Sequence, residues 1–351
     1  MAINKNFRRS TTIKDIALEA GVSIATVSKS LNGEKTGMSK ETREKVLEIA
    51  RRLRYYPNLQ ARGLVAKRPE AIGIVIPRTA EFAFSNPYYA EILKGIGGRA
   101  REASQHLFFF LAGEESYAQL YHHRLAAGII VLGNRMDDPL IEDAWKMKVP
   151  LVLIPGSPNQ KDIPSVDGDN VWGACEAVGY LVRLGHRRIA FLNGPSNSKY
   201  CVERLEGYRK ALEKNGLAFQ ENLVLESDFS QEGAYQTMKK LLSRCPAPTA
   251  VLVINDYSAL GALRAAKEMG FQVPENLSVV GFGDVPLAPM TSPPLTTVHE
   301  PFQRMGQEAT DMLLKIIQGK RLSARHRILP VELVIRESCA ECGDRHRRKR
   351  P

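Results

Sequence analysis

No stretch of this chain approaches the ~20 consecutive apolar residues that span a bilayer, so no membrane partner is expected. Cysteine is scarce. Cys175, Cys201, Cys245, Cys339 and Cys342 are odd in number and scattered, which argues against a disulfide framework and for a reducing cytoplasm. Met1 to Ser10 holds no apolar run of the kind that opens an export signal. The chain has no Walker A run, no HExxH and no G-x-S-x-G, so these signatures of phosphate-cradling, zinc-protease and serine-hydrolase chemistry are missing. Gly95-Ile-Gly97-Gly98 sits inside a helical pattern and lacks the strand-to-helix turn that a dinucleotide site needs. Cys339-Ala-Glu-Cys342 with His346 offers three ligands in a basic tail, short of a structural zinc tetrahedron. Neither a cofactor nor a metal is expected.

What the chain does have is charge, unevenly placed. The net charge of +11 over 351 residues is carried at the ends. Residues 1–68 hold 15 Lys/Arg against 6 Asp/Glu, and residues 339–351 hold 5 against 2. Between them, residues 69–338 hold 29 against 30. A neutral body with a basic head implies a polyanion-binding module joined to something else. The length allows two or three domains with a well-buried core.

Inside the basic head, Thr12 to Asn32 predicts two short helices joined by a tight turn. Ile13, Ile16, Ala17 and Ala20 recur at helical spacing, with Thr12 as N-cap and Asp15 in the first turn. Gly21 supplies the turn, because a residue without Cβ takes positive φ freely. Ser23 caps the second helix, and Val27 and Leu31 face inward. Ile24, Ala25, Ser28 and Lys29 are left pointing outward. This is the layout of a helix-turn-helix, whose second helix enters the major groove, although an ordinary αα-hairpin shares the pattern. Ser39 caps a third helix, Lys40 to about Arg54, and Pro57 closes the unit. Residues 1–10 read as a basic arm. The segment from Asn58 to Val65 is about two helical turns, too short to be stable alone and weakened by Gly63. It reads either as a helix ordered by docking or as a plain linker.

From Ala71 onward, short apolar runs alternate with amphipathic stretches. Strands are predicted at Ile72–Ile76, Leu107–Ala112, Gly128–Leu132, Leu151–Ile154, Ile189–Asn193, Ala250–Ile254 and Val279–Phe282. Helical patterns lie near 88–104, 138–147, 171–185, 201–215, 231–244, 257–270 and 302–318. Alternation of this kind implies parallel sheets covered by helices, and its length implies two α/β lobes with a ligand cleft between them.

These residues resemble the lactose-repressor/purine-repressor family of bacterial transcription regulators along nearly the whole chain. The resemblance is carried by TIKDIALEAGVSIATVSKSLNG at 12–33, SKETREKVLEIARRLRYYPNLQARGL at 39–64 and IGIVIP…NPYYAEILKGI at 72–96. It continues through GDN at 168–170, LGHRRIAFLNGP at 184–195, ERLEGYRKAL at 203–212, NDYSALGAL at 255–263, ENLSVVGFGDVPLA at 276–288 and PPLTTVHEP at 293–301. With so many matches in one order, the αα-hairpin alternative falls away. The resemblance implies an α/β protein with an N-terminal three-helix helix-turn-helix headpiece and two Rossmann-like parallel-sheet lobes of the periplasmic-binding-protein type. The headpiece would be 1–57, and 58–68 a hinge helix and linker. Residues 69–338 would form the ligand-binding and dimerisation body, with lobe one about 69–163 and 298–325 and lobe two about 164–297 and 326–338. Residues 339–351 would be a disordered basic tail.

The function implied is that of a cytoplasmic repressor binding a palindromic double-stranded operator as a homodimer, controlled by a sugar or sugar acid. An α/β enzyme or a sugar-binding protein using the same two-lobed cleft is the alternative. Carried over position by position, Thr12, Ser23, Ile24, Ala25, Thr26, Ser28, Lys29 and Asn32 would meet DNA. In the hinge, Asn58, Ala61, Arg62 and the apolar wedge Leu64 would do so in the minor groove. Asn86, Tyr88, Asp169, Asn170, Arg204, Asn255 and Asp256 would line the effector cleft. Two departures stand out. Gly283 replaces an Asp that holds sugar hydroxyls in the family, and with Arg204 retained this tilts the expectation toward an acidic sugar. The stretch between Phe110 and Gly128 is about ten residues short by family standards, so Glu114–Ala126 should form one truncated helix.

Overall fold

Each helix of the head starts and stops on short-range chemistry. The computed structural model describes residues 11–31, 37–55, 69, 71–111, 117–133, 135–156 and 162–343. In helix α1 (Ile13–Ala20), the Thr12 N–H and hydroxyl donate to the Asp15 carboxylate at 2.7 and 2.8 Å. Gly21, at φ 69°, ends it in the left-handed region. Helix α2 (Ile24–Leu31) begins where Ser23 Oγ accepts from the Thr26 N–H at 3.1 Å. Helix α3 (Lys40–Arg52) begins on Ser39, which accepts from the Thr42 N–H at 3.1 Å. The three enclose a small core of Ile16, Ala17, Ala20, Val27, Val46, Ile49 and Ala50. The Thr11 hydroxyl donates to the Leu53 carbonyl at 3.0 Å, and Arg52 pairs with Glu19. The expected hinge at 58–68, the arm at 1–10 and Asn32 lie outside the described residues.

The chain divides into two compact units at Pro69/Glu70. Among the described residues, the larger holds two sheets of six strands. The first runs β11 (His326–Leu329), β5 (Ser165–Gly168), β4 (Leu151–Ile154), β3 (Gly128–Leu132), β1 (Ala71–Ile76), β2 (His106–Leu111), all parallel. The second runs β12 (Glu332–Val334), β10 (Thr296–His299), β9 (Ser278–Gly283), β8 (Ala250–Val253), β6 (Ile189–Asn193), β7 (Val224–Glu226). Only β12 is antiparallel to its neighbour. Helices α4 (Ala80–Ser85), α5 (Pro87–Glu102), α6 (Tyr117–His122), α7 (Pro139–Lys146) and α12 (Phe302–Ile317) belong to the first lobe. Helices α8 (Asn170–Arg183), α9 (Lys199–Lys214), α10 (Gln231–Leu242) and α11 (Asp256–Glu268) belong to the second. Among the described residues no helix is long and apolar enough to cross a membrane. Gly95, of the glycine cluster noted above, lies within α5 and lets α12 approach: a Cβ there would collide with the Gln303 carbonyl.

Two expectations need correction. The lobe crossings fall after β5, after β10 and after β11, near Asp169, Glu300 and Pro330, rather than at 163, 297 and 325. The cause is pairing: β5 and β11 lie side by side in the first sheet, Ser165 opposite His326 and Gly168 opposite Leu329. Nor is the segment after Ser338 a loose tail at its start. The Cys339 thiol donates to the Val279 carbonyl at 3.4 Å, His186 Nε2 lies 3.0 Å from the Ala340 carbonyl, and the Cys342 N–H donates to the Leu184 carbonyl at 2.7 Å. Residues 344–351 lie outside the described set.

Candidate functional site

In the head, α2 presents a chosen set of side chains. Val27 and Ser30 are buried, while Ser23, Ile24, Ala25 and Lys29 are exposed and Thr26 and Ser28 half-buried. Ile24 keeps 45% of its surface in water despite being apolar. The first amides of α2 lack helical partners and, with the helix dipole, favour an anion such as a phosphate. Ser23 spends its oxygen as cap, and the Thr12 hydroxyl spends its proton on Asp15. Leu18, 87% exposed on α1, is an outward apolar residue that the pattern reading passed over. Asn58, Ala61, Arg62 and Leu64 lie outside the described residues, as does Asn32.

In the body, the carboxyl ends of both sheets converge on a cleft enclosing about 680 Å³ of empty space, open solvent at its mouth included. Asn86, Tyr88, Asn170, Arg204, Asn255 and Asp256 line it together. Asp169 does not: its carboxylate accepts from the Trp172 N–H at 3.0 Å and caps α8. Asn86 and Asn255 are caps as well, of α5 and α11, holding the Tyr88 and Ser258 amides at 3.1 and 2.7 Å. Unlike Asp169, both still border the cleft.

Arg204 is the best-anchored group. Its Nε donates to Asn170 Oδ1 at 2.9 Å, Nη1 to the Ile254 carbonyl at 2.6 Å and Nη2 to Glu300 Oε2 at 2.7 Å. Its guanidinium lies 3.5 Å from the Phe282 ring centre and 5.0 Å from that of Tyr200. Burial pushes the Glu300 carboxyl upward, and Arg204 pulls it back. Glu300 already answers the Arg204 charge, so Arg204 offers a ligand no unmatched cation. Gly283 has φ 126°, and Asp284 beside it turns away to Arg336 at 2.6 Å and His299 at 3.1 Å. Asp256 is fully buried, and burial raises its carboxyl to about 6 against the pull of the Thr297 hydroxyl and the Val285 amide.

A second network bridges the lobes. Asp167 on β5 accepts from Lys199 on α9 at 2.8 Å, from the Gly156 amide at 3.1 Å and from the Ser165 hydroxyl at 3.1 Å. Lys199 also meets Glu203 at 3.0 Å, and Asn170 donates to Glu203 at 3.0 Å. Burial works against the Lys199 ammonium, yet its two acidic neighbours hold its pKa above the ordinary value. The Met136 amide donates to the Asn197 carbonyl at 2.9 Å, a further tie across the cleft.

Sequence reasoning missed Arg78, Asp167, Glu300 and the aromatic wall of Phe82, Tyr89, Tyr200, Phe229, Tyr257, Phe282 and Phe302. Phe82 packs on the cores of both lobes. Most of these stand within a few residues of a strand end, which was the signal available. Rings and buried hydrogen-bonding groups together suit a polyhydroxylated ligand, whose C–H faces stack while its hydroxyls are held.

Residues 12–58 match the family described as bacterial regulatory proteins, lacI family, and residues 178–339 match the periplasmic binding protein-like domain. The chain is 35% identical over 341 residues to the HTH-type transcriptional regulator CelR of Thermobifida fusca, spanning 94% of this chain and 99% of that one. A solved CelR-cellobiose complex is similar with a TM-score of 0.71 at 33% identity, covering 93% and 99% of the two chains. The lac repressor dimer bound to operator and the anti-inducer ONPF is similar with a TM-score of 0.84 at 29% identity, covering 95% and 100%.

Proposed function

This chain belongs to the lacI family of bacterial regulatory proteins, and from that premise we propose that it is a transcriptional repressor gripping a palindromic operator as a homodimer, under the control of a sugar bound in its cleft. The observation that carries the reading is the start of α2, where Ile24, Ala25 and Lys29 stand exposed on a helix whose other face is sealed into the core. Lys29 reaches guanine O6 and N7, less rigidly than an Arg fork would. Ile24 and Ala25 offer apolar contact to a thymine methyl. Ser23, Thr26, Asn32 and the helix-start amides set the helix on phosphates, with Thr12 and Ser28 beside them. Direct readout by so few donors is thin. The hinge therefore enters the reading on sequence alone, with Leu64 wedged at a central pyrimidine–purine step beside Asn58, Ala61 and Arg62.

The CelR-cellobiose complex supports a carbohydrate as effector, and the operator-bound lac repressor dimer supports two-fold assembly. Phe108 and Phe109, exposed on the edge strand β2, suit burial against a second copy. A repressor works where the DNA is, and we place it in the cytoplasm. Ligand-dependent closure of the lobes would change operator affinity 5–150-fold for a coupling of about 1–3 kcal/mol. The test is selection of duplexes from a random pool by the full-length protein, followed by gel shifts. Enriched sites should show two-fold symmetry and bind less tightly as salt rises. Equal binding to any duplex at physiological salt would overturn the proposal.

A further inference from the structure

Among the described residues, the cations of the cleft face carboxylates, with one exception on the first lobe. Arg204 faces Glu300, and Lys199 faces Asp167 and Glu203. Arg78 stands two residues beyond β1 and lines the same cleft. Its guanidinium lies 5.9 Å from the Phe82 ring centre and 6.0 Å from that of Phe229, so it is held between rings of opposite lobes. Burial pushes the Tyr89 hydroxyl pKa up, and the neighbouring Arg78 charge pulls it back. The Arg78 Nε is buried with no hydrogen-bond partner among the described residues.

An Arg cannot relieve burial by giving up its proton, and a buried N–H without an acceptor costs free energy. Two ring faces orient a guanidinium but leave its charge in place. What would complete Arg78 is an oxyanion, which accepts from its fork in a bidentate manner and neutralises it at once. We propose that Arg78 is the specificity-determining residue of the cleft and that the effector is a sugar bearing an anionic oxygen group, the carboxylate of a sugar acid or the phosphate of a sugar phosphate. This rests on the reading of the cleft as a carbohydrate site and narrows it. Arg204 and Asp256 are already engaged by protein partners and serve hydroxyls, whereas Arg78 serves the charge. Its place between Phe82 and Phe229 means that an anion bound there touches both lobes.

The experiment is calorimetric titration of the full-length protein with glucuronate, galacturonate and glucose 6-phosphate against neutral glucose, galactose and cellobiose. Wild type, Arg78→Gln and Arg78→Lys are compared. Wild type should prefer at least one acid over its neutral parent, and uronate against phosphate identifies the anion. Arg78→Gln should erase that preference by about 10- to 100-fold while leaving neutral sugars unchanged, and Arg78→Lys should keep part of it. The inference is overturned if neutral parents bind as well as their acids, if no acid binds at millimolar concentration, or if Arg78→Gln weakens acid and neutral ligands alike. Gel shifts on the selected operator run beside it. Retained operator binding with no acid preference sinks the Arg78 inference alone, whereas absent operator specificity sinks the regulator reading.

Discussion

The head and the cleft are built on opposite plans. In α1 and α2 the side-chain hydrogen bonds to Asp15, Ser23 and Thr26 each reach only three or four residues along the chain. In the cleft, the three donors of Arg204 reach 34, 50 and 96 residues away. On α2 and its cap, Ser23, Ile24, Ala25 and Lys29 are wet, while Arg204 and Glu300 keep only 4% and 6% of their surface. A wet, locally supported side chain contributes little to folding and is free to specialise. A dry one tied across the fold serves stability and recognition at once.

That contrast can be broken by substitution. The largest effect should come from Glu300→Leu, which leaves Arg204 buried and unpaired and should cost about 3–5 kcal/mol in urea unfolding of the full chain. A loss no greater than that of a helix cap would erase the distinction. Asp256 comes next, with a definite sign. Its carboxyl is raised from 3.8 to about 6 in the folded protein, so the folded state keeps a proton that the unfolded chain releases at lower pH. The stability it confers is full below about pH 4 and lost as pH rises through about 6, at most about 3 kcal/mol. Asp256→Asn should flatten that slope in unfolding measured across the window, and an unchanged slope would assign the proton elsewhere. In the head, Ser23→Ala should remove about 1 kcal/mol, read as earlier melting of helical signal. Lys29→Ala should move stability by less than about 0.5 kcal/mol yet weaken operator binding by about 1–3 kcal/mol, seen in gel shifts.

The same contrast governs what could be read from the chain alone. Caps and periodicity are local, so α2 and strands such as Gly128–Leu132 and Ile189–Asn193 could be placed almost to the residue. Ser165–Gly168 and His326–Leu329 escaped, because SVDG and HRIL have no apolar rhythm and are strands only by pairing with each other. The lobe boundaries slipped with them. Asp169 and Asn170 are neighbours in one motif, and only the cap geometry of α8 decides that the amide, not the carboxylate, borders the cleft. Glu300 and Arg78 are lone charges in connections. Nothing short of the fold tells which of them is matched.

Asp167 and Lys199 meet across the lobes in a place so dry that their side chains keep only 4% and 19% of their surface. Dissolved electrolyte loosens any hold on DNA phosphates by restoring their counterions, but it scarcely penetrates a clasp of this kind. Concentrated salt should therefore strip the protein from nucleic acid while its two halves stay fastened. The freed molecule would leave the DNA with the shape of its cleft intact.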